Sequence, residues 1–229
     1  MGYEEENRIC QNCQKEFTIE SEDFNFYEKI KVPPPTFCVE CREQRRLSFR
    51  NERVLYKKDC DLCGKNVVSR VSPDKKYLTY CTKCWWSDKW DSYSYGMEYD
   101  FSRSFFEQFL ELKNKVPRMT LVRQGMSVNS PYTHRVKDMK DSYMVFRTTR
   151  GTNCLYTYIG KDILDCVDCF EISDCELCYE CIDCDKCYKT RFSQESKELR
   201  DCFFMYGCRN CSDCVGCVNL VNQRYCIFN

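Results

Sequence analysis

At 229 residues the chain has room for one or two domains, and its 35 Lys and Arg balance 35 Asp and Glu, which excludes binding to polyanions by net charge alone. Cysteine reaches 22 residues, a density usual in short secreted disulfide scaffolds. The opening Met-Gly-Tyr-Glu-Glu-Glu carries no apolar leader and no stretch has the length of a membrane span, so the expectation is a cytoplasmic protein with no membrane partner, its cysteines serving as metal ligands or buried thiols.

The charge is segregated. Residues 102–150 carry ten Lys and Arg against four Asp and Glu, whereas residues 151–229 carry eight against thirteen. Local basic patches therefore leave room for a directed nucleic-acid contact.

Residues 1–58 read as a first four-cysteine zinc finger. Cys10-Gln-Asn-Cys13 leads into Glu16-Phe17-Thr18-Ile19, a hairpin after a metal knuckle, and Pro33-Pro34-Pro35 holds the chain extended before Cys38-Val-Glu-Cys41. The stretch from Arg42 to Arg53 lacks Gly and Pro and predicts a helix carrying the last two ligands. Knuckle, hairpin and ligand-bearing helix make a treble-clef layout, since two Cys-x2-Cys turns assemble four soft ligands for tetrahedral zinc without a large core. Residues 59–101 repeat the logic with Cys60, Cys63, Cys81 and Cys84 around the turn Ser72-Pro73-Asp74. Two structural zinc ions are expected. Consecutive pairing of the cysteine pairs is simplest, and spacing alone leaves a cross-braced alternative open.

Arg42, Arg45, Arg46, Arg50 and Arg53, extended by Lys57 and Lys58, form the best candidate nucleic-acid surface, seven cations against Glu43 and Glu52. The bland alternative is a solvated helix face paired internally. Trp85, Trp86 and Trp90, followed by Tyr93, Tyr95, Tyr99 and Phe101, read either as a stacking platform for bases or, the favoured reading, as packing around the second finger.

Residues 102–120 predict a capping amphipathic helix. Ser104-x-x-Glu107 has the form of a capping box, Phe105, Phe106, Phe109, Leu110 and Leu112 make an apolar stripe, and Pro117 ends it. The expectation is a lid over the first coil of a C-terminal solenoid, against a partner-binding helix. His134, the only histidine, is expected at the surface.

From Cys154 to Cys226 stand fourteen cysteines whose numbers all leave the same remainder on division by three. Independent placement would do this about once in a million. The same phase holds Ser142, Val145, Thr148, Gly151, Thr157, Gly160, Ile163, Ile172, Thr190, Ser193, Ser196, Leu199, Met205 and Leu220, and from Leu121 to the end it holds no charge. A strand repeats every two residues and an α-helix every 3.6, so neither keeps a period of three on one face; a long 3-10 helix is disfavoured. An all-β solenoid (β-helix) over residues 121–229, with about twelve residues per coil and inward cysteines, satisfies the pattern. Fifteen per coil fits as well, and six cysteine pairs thirty-three residues apart suggest a larger duplication. The inward sulfurs read as buried reduced thiols, inter-coil disulfides or a metal–thiolate cluster. The last residues, Tyr225 to Asn229, stay in register and apolar, so a homodimer through the solenoid end or a longer natural chain is expected.

The run from Cys38 through Arg46, then Arg50-Asn51-Glu52, Cys60-x2-Cys63-Gly64-Lys65 and Cys84-Trp85-Trp86-Ser-Asp-Lys-Trp90, resembles a family of uncharacterised cysteine-rich zinc-ribbon proteins from uncultured small-genome bacteria; the repeats at 178–184 resemble the same family. The likeness covers most of the chain and implies zinc, and it supplies no activity.

No catalytic constellation stands out: no Gly-rich phosphate loop, nucleophile elbow or His-Glu zincin pattern. The expected function is a non-enzymatic zinc-binding adaptor. Its fingers would contact RNA, a ribosome or DNA, and its solenoid a protein partner. The alternatives are a protein-interaction scaffold without nucleic acid and a thiol-based metal or redox buffer.

Overall fold

The computed structural model describes residues 4–48, 51 and 53–229. The chain divides into two compact units, Met1–Asn51 and Glu52–Asn229.

In the first unit, β1 (Glu6–Ile9) and β2 (Glu16–Ile19) pair antiparallel, Glu6 opposite Ile19 and Ile9 opposite Glu16. The Cys10–Cys13 knuckle is the turn of this hairpin and does not precede it. α1 (Ser21–Lys29) follows, unanticipated by sequence reasoning although its first turn is acidic and its last basic, as the helix dipole favours. α2 spans Val39–Ser48. It stops short of the expected Arg53, with Asn51 outside the helix, while Arg50 and Glu52 lie outside the described residues.

The second unit opens with β3 (Tyr56–Asp59) and β4 (Asn66–Ser69), paired antiparallel around the second knuckle. Lys57 and Lys58 thus belong to the second finger's hairpin, not to an extension of α2, and that finger begins before residue 59. Next come β5 (Thr79–Tyr80), α3 (Thr82–Trp85), a 3-10 turn over Ser92–Tyr95, α4 (Phe105–Lys115) and β6 (Arg118–Met119). β5 and β6 pair in parallel, and Arg70 N–H reaches Thr120 C=O at 2.8 Å. These bonds join the second finger to the start of the solenoid.

The expected lid is corrected. Phe105, Phe106, Phe109 and Leu110 on α4 are all more than half exposed, and only Gln108 of the helix is buried. Ser104 occupies the N-cap position without a side-chain cap bond, so the capping box does not form. Gln108 accounts for the inversion: its amide bonds the backbone N–H and C=O of Asp100, tying the polar side of the helix down and leaving the aromatic side outward.

The solenoid strands are β7 (Arg123–Gln124), β8 (Val136–Lys140), β9 (Phe146–Thr152), β10 (Tyr158–Leu164), β11 (Phe170–Ser173) and β12 (Ile182–Asp185), one parallel sheet ordered β12-β11-β10-β9-β8-β7. Single parallel bridges carry the same twelve-residue register from Val128 opposite Lys140 to Val215 opposite Ile227. The coil is therefore twelve residues long, and the thirty-three-residue cysteine spacing is a by-product of the period of three.

The backbone explains that period. From Arg135 to Phe228 nearly every third residue, including Asp138, Asp141, Asn153, Asp162, Asp165 and Asp168, has φ between 47° and 67°. Each such left-handed residue is a corner, the next points inward and the third lies flat on a side. Twelve residues with a corner at every third make a four-sided coil. L-residues pay about 1–2 kcal/mol for this conformation, least for Asn, Asp and Gly. Two backbone bonds per side stitch coil to coil: Tyr143 N–H donates to Cys154 C=O at 3.0 Å and Asn153 N–H to Lys140 C=O at 2.9 Å, and the pattern repeats to Val215 with Cys226.

The inward residues from Val136 to Cys217 form one buried apolar cluster, with Ser142, Thr148, Thr157, Thr190, Ser193 and Ser196 buried among them. Where a large side chain points inward, a neighbour shrinks: a Cβ on Gly151 would lie 2.6 Å from Met139 Cε. The first coil departs from the ideal. Arg123 pairs with Val136, a step of thirteen, and Gly125 with φ +62° absorbs the extra residue; Gln124 is exposed and Ser127 half-buried. His134 is fully buried, against expectation, because its Nδ1 accepts the Val122 N–H at 3.1 Å and so has an internal partner there.

Candidate metal centres

Cysteine knuckles work because the turn after the first ligand points backbone N–H groups at sulfur. In the first finger Gln14 N–H closes the turn on Cys10 C=O at 3.0 Å, with Gln14 itself left-handed at φ 60°. The second finger uses Gly64 in the same place, at φ 71°. Cys38 sits immediately before α2 and Cys41 within it, while Cys81 caps α3, its sulfur accepting the Cys84 N–H at 3.4 Å.

These elements bring Cys10, Cys13, Cys38 and Cys41 together, and Cys60, Cys63, Cys81 and Cys84, with all four sulfurs of each set within 4.8 Å of one another. Consecutive pairing is the arrangement present. Cys13 Sγ and Cys38 Sγ stand 3.7 Å apart. Four sulfurs at zinc–thiolate bond lengths around a tetrahedral ion lie about 3.8 Å apart, and a disulfide would need about 2.05 Å. All 22 cysteines are free. Both tetrads are thus able to hold a metal ion.

The surroundings of Cys10 and Cys60 favour thiolate. Cys10 Sγ accepts the Cys38 N–H at 3.3 Å, Cys60 Sγ the Cys81 N–H at 3.2 Å, and Cys41 Sγ the Asn12 amide at 3.2 Å. Burial pushes the Cys10 thiol up, but the N–H groups of Cys13, Cys38 and Asn12 outweigh it and bring the pKa down to about 6. The same contest at Cys60, burial against the N–H groups of Cys81, Cys63 and Leu62, ends at about 7. At Cys38 the Cys41 N–H lowers the thiol, but burial and the side chains of Cys41, Glu40 and Cys13 outweigh it, and at Cys84 burial and the neighbouring sulfurs act together; both thiols are pushed up to about 12 and would lose their protons on coordination.

No protein-family model matches the chain, and no curated protein shows significant similarity to it.

The candidate nucleic-acid residues are divided between the two units. Arg42, Arg45 and Arg46 lie on α2, with Arg42 3.5 Å from the Tyr27 hydroxyl and Arg45 5.7 Å from the Phe37 ring centroid. Arg53, Lys57 and Lys58 belong to the second unit. There the Arg53 guanidinium lies 4.0 Å over Tyr158, Lys57 5.5 Å from the Tyr132 ring centroid, and Lys58 Nζ donates to the carbonyls of Lys75 and Tyr77. Arg50 is outside the described residues. The helix ends too early to string the seven together.

The tryptophans divide. Trp85 and Trp90 pack against each other at 4.7 Å, Trp90 meets Tyr80 at 5.4 Å, and Trp90 Nε1 donates to Trp85 C=O at 2.9 Å. Trp86 is 67% exposed. Sequence reasoning passed over Lys65, Lys83 and Lys89, which line the same cleft as Trp86. The interleaving of Lys83, Trp86 and Lys89 within seven residues was the available signal.

Proposed function

We propose that the protein is a non-enzymatic adaptor in which two structural zinc ions fold the fingers, the fingers contact nucleic acid or a ribonucleoprotein, and the solenoid carries a protein partner. The observation that carries this reading is the pair of all-cysteine tetrads. Four thiolates complete the coordination of zinc, which leaves no position for a substrate and supports a structural role for the ion. The exposed Arg45 and Arg46 on α2, the helix that also holds Cys41, support a phosphate contact from a metal-pinned element.

A protein partner is supported by the outer surface of the solenoid. Tyr132, Tyr143 and Tyr156 form one aromatic ladder along it, and Tyr179, Phe192 and Phe204 another, with Phe192 and Phe204 stacked at 5.0 Å. Tyr143, Tyr156, Phe192 and Phe204 are 38–58% exposed, the kind of apolar patch that marks an interaction surface. The exposed aromatic face of α4 favours the second reading, an interaction scaffold that needs no nucleic acid. A thiol buffer fits less well, because the solenoid sulfurs other than Cys226 are buried and engaged with backbone carbonyls.

Pull-down from the native host at low and high salt, with metal analysis of the purified chain, tests the reading. Two zinc ions per chain and nucleic acid released by salt are expected. Protein partners without nucleic acid would leave the scaffold, and a much larger metal load would point to the buffer.

A further inference from the structure

A cleft of about 770 Å³ opens beside the second tetrad, between the finger and the first coil of the solenoid. Lys57, Lys65, Lys83, Lys89 and Arg123 line it with Trp86, and no Asp or Glu does so among the described residues. A zinc tetrathiolate carries a net charge of minus two, so balancing the metal centre accounts for two of these five cations and leaves three. Two of the five are held in place. The Arg123 guanidinium donates to the carbonyls of Thr133, at 3.1 Å, and Pro131, and Lys57 lies against Tyr132. Lys65, Lys83 and Lys89 are exposed and have no ion-pair partner among the described residues. Trp86 also lines a neighbouring cavity of about 510 Å³, so its indole is open on more than one side. Unlike Trp85 and Trp90, it takes no part in the internal packing of the finger.

A surplus of positive charge asks for an anion, and an exposed indole within the same cleft asks for a flat aromatic group attached to it. We propose that this cleft binds a nucleotide unit, with the base stacked on Trp86 and the phosphate held by Lys65, Lys83 and Lys89. Stacking on an open indole needs an unpaired base, so the polymer form of this ligand is single-stranded nucleic acid; the free form is a mononucleotide. The inference deepens the nucleic-acid reading above by assigning it a second contact, in the second unit.

The test uses the zinc-loaded full chain, with fluorescence anisotropy of a labelled short oligouridylate and calorimetry of uridine monophosphate as separate arms. Each variant is first shown to retain the wild-type zinc content. W86A is expected to weaken oligouridylate binding about 5- to 150-fold, the range of one base stack, while W86F keeps most of it. K83E/K89E is expected to weaken it at least about tenfold and to flatten the dependence of affinity on salt. Wild-type affinity in both W86A and K83E/K89E overturns the proposal; if R45E/R46E alone abolishes binding, the α2 contact stands without the cleft. Uridine monophosphate binding that W86A removes, without oligouridylate binding, supports the cleft for a free nucleotide and removes the polymer reading. Binding of neither probe overturns both.

Discussion

Cysteine does two different jobs in the two halves of this chain. In the fingers the sulfur accepts: backbone N–H groups converge on Cys10 and Cys60, and four sulfurs meet around one point. In the solenoid the sulfur donates to backbone carbonyls, and at some positions it also accepts one N–H. Cys154 Sγ lies 3.2 Å from Thr152 C=O and 3.7 Å from Ile163 C=O, and the same pair of contacts, to residues two back and nine ahead, recurs at Cys166, Cys169, Cys175 and onward. At several inward positions a side chain twelve residues earlier accepts the residue's own N–H: Cys187 N–H reaches Cys175 Sγ at 3.4 Å, and Met205 N–H reaches Ser193 Oγ at 3.2 Å. The difference is one of geometry. Sulfurs brought to a point become a charged ligand set, whereas sulfurs strung along a line become neutral rungs. Serine substitutes as a rung and not as a soft ligand, which is why Ser142, Ser193 and Ser196 share the inward phase.

The sharpest way to break this contrast is metal removal. On the proposed zinc reading, a strong chelator should unfold both fingers, since structural zinc supplies about 10–16 kcal/mol in zinc-finger sites, and leave the solenoid's amide protection in place. Segment-resolved hydrogen exchange reads the outcome; loss of solenoid protection together with the fingers would mean that its thiols also hold metal. Single substitutions sharpen it next. Cys38→Ser and Cys84→Ser should each cost one zinc by metal analysis, whereas Cys175→Ser should change thermal stability by less than about 1 kcal/mol. Cys175→Ala removes the acceptor of the Cys187 N–H without overfilling the lumen, and should cost about 1–3 kcal/mol by denaturant titration.

A smaller effect tests the corners. Asp168, with φ 54°, tolerates Gly, but Asp168→Val should cost about 1–2 kcal/mol by the same titration. The smallest effect concerns pH. Burial pushes Cys154 up to about 12 and Cys202 up to about 11, above the ordinary thiol value of 9.0. Thiols shifted upward stabilise the fold fully below that ordinary value, and the contribution is lost as pH rises through 11 to 12. The solenoid's amide protection by hydrogen exchange, as far as these two thiols set it, should therefore be flat across pH 7–8 and fall above pH 9. Alkylation at pH 8 should spare both cysteines until denaturant is added.

Much of this was legible in the residues. The knuckle spacing located all eight tetrad cysteines, because four ligands in two short turns have few ways to meet. The uncharged phase located the lumen, because a charge pointing inward would have no partner there. Other features were hidden. The corners announce themselves only weakly, through Asp and Asn one residue before many inward positions and through Gly207 and Gly216. His134 reads as a surface residue in the sequence because its partner is a backbone N–H, at Val122, that no pattern displays. The stripe on α4 reads as a buried face because periodicity reports amphipathicity and not which side is covered; the bonds of Gln108 decide that.

By itself, then, the order of residues determined which side chains bind together and which face inward, since both follow from local spacing and from the cost of burying charge. Coil length, the step of thirteen at the solenoid's start, the division of the basic run between two units and the exposure of Trp86 were settled only in three dimensions. Each depends on the sign of a backbone angle or on a partner distant along the chain, and neither is carried by the identity of one residue and its neighbours.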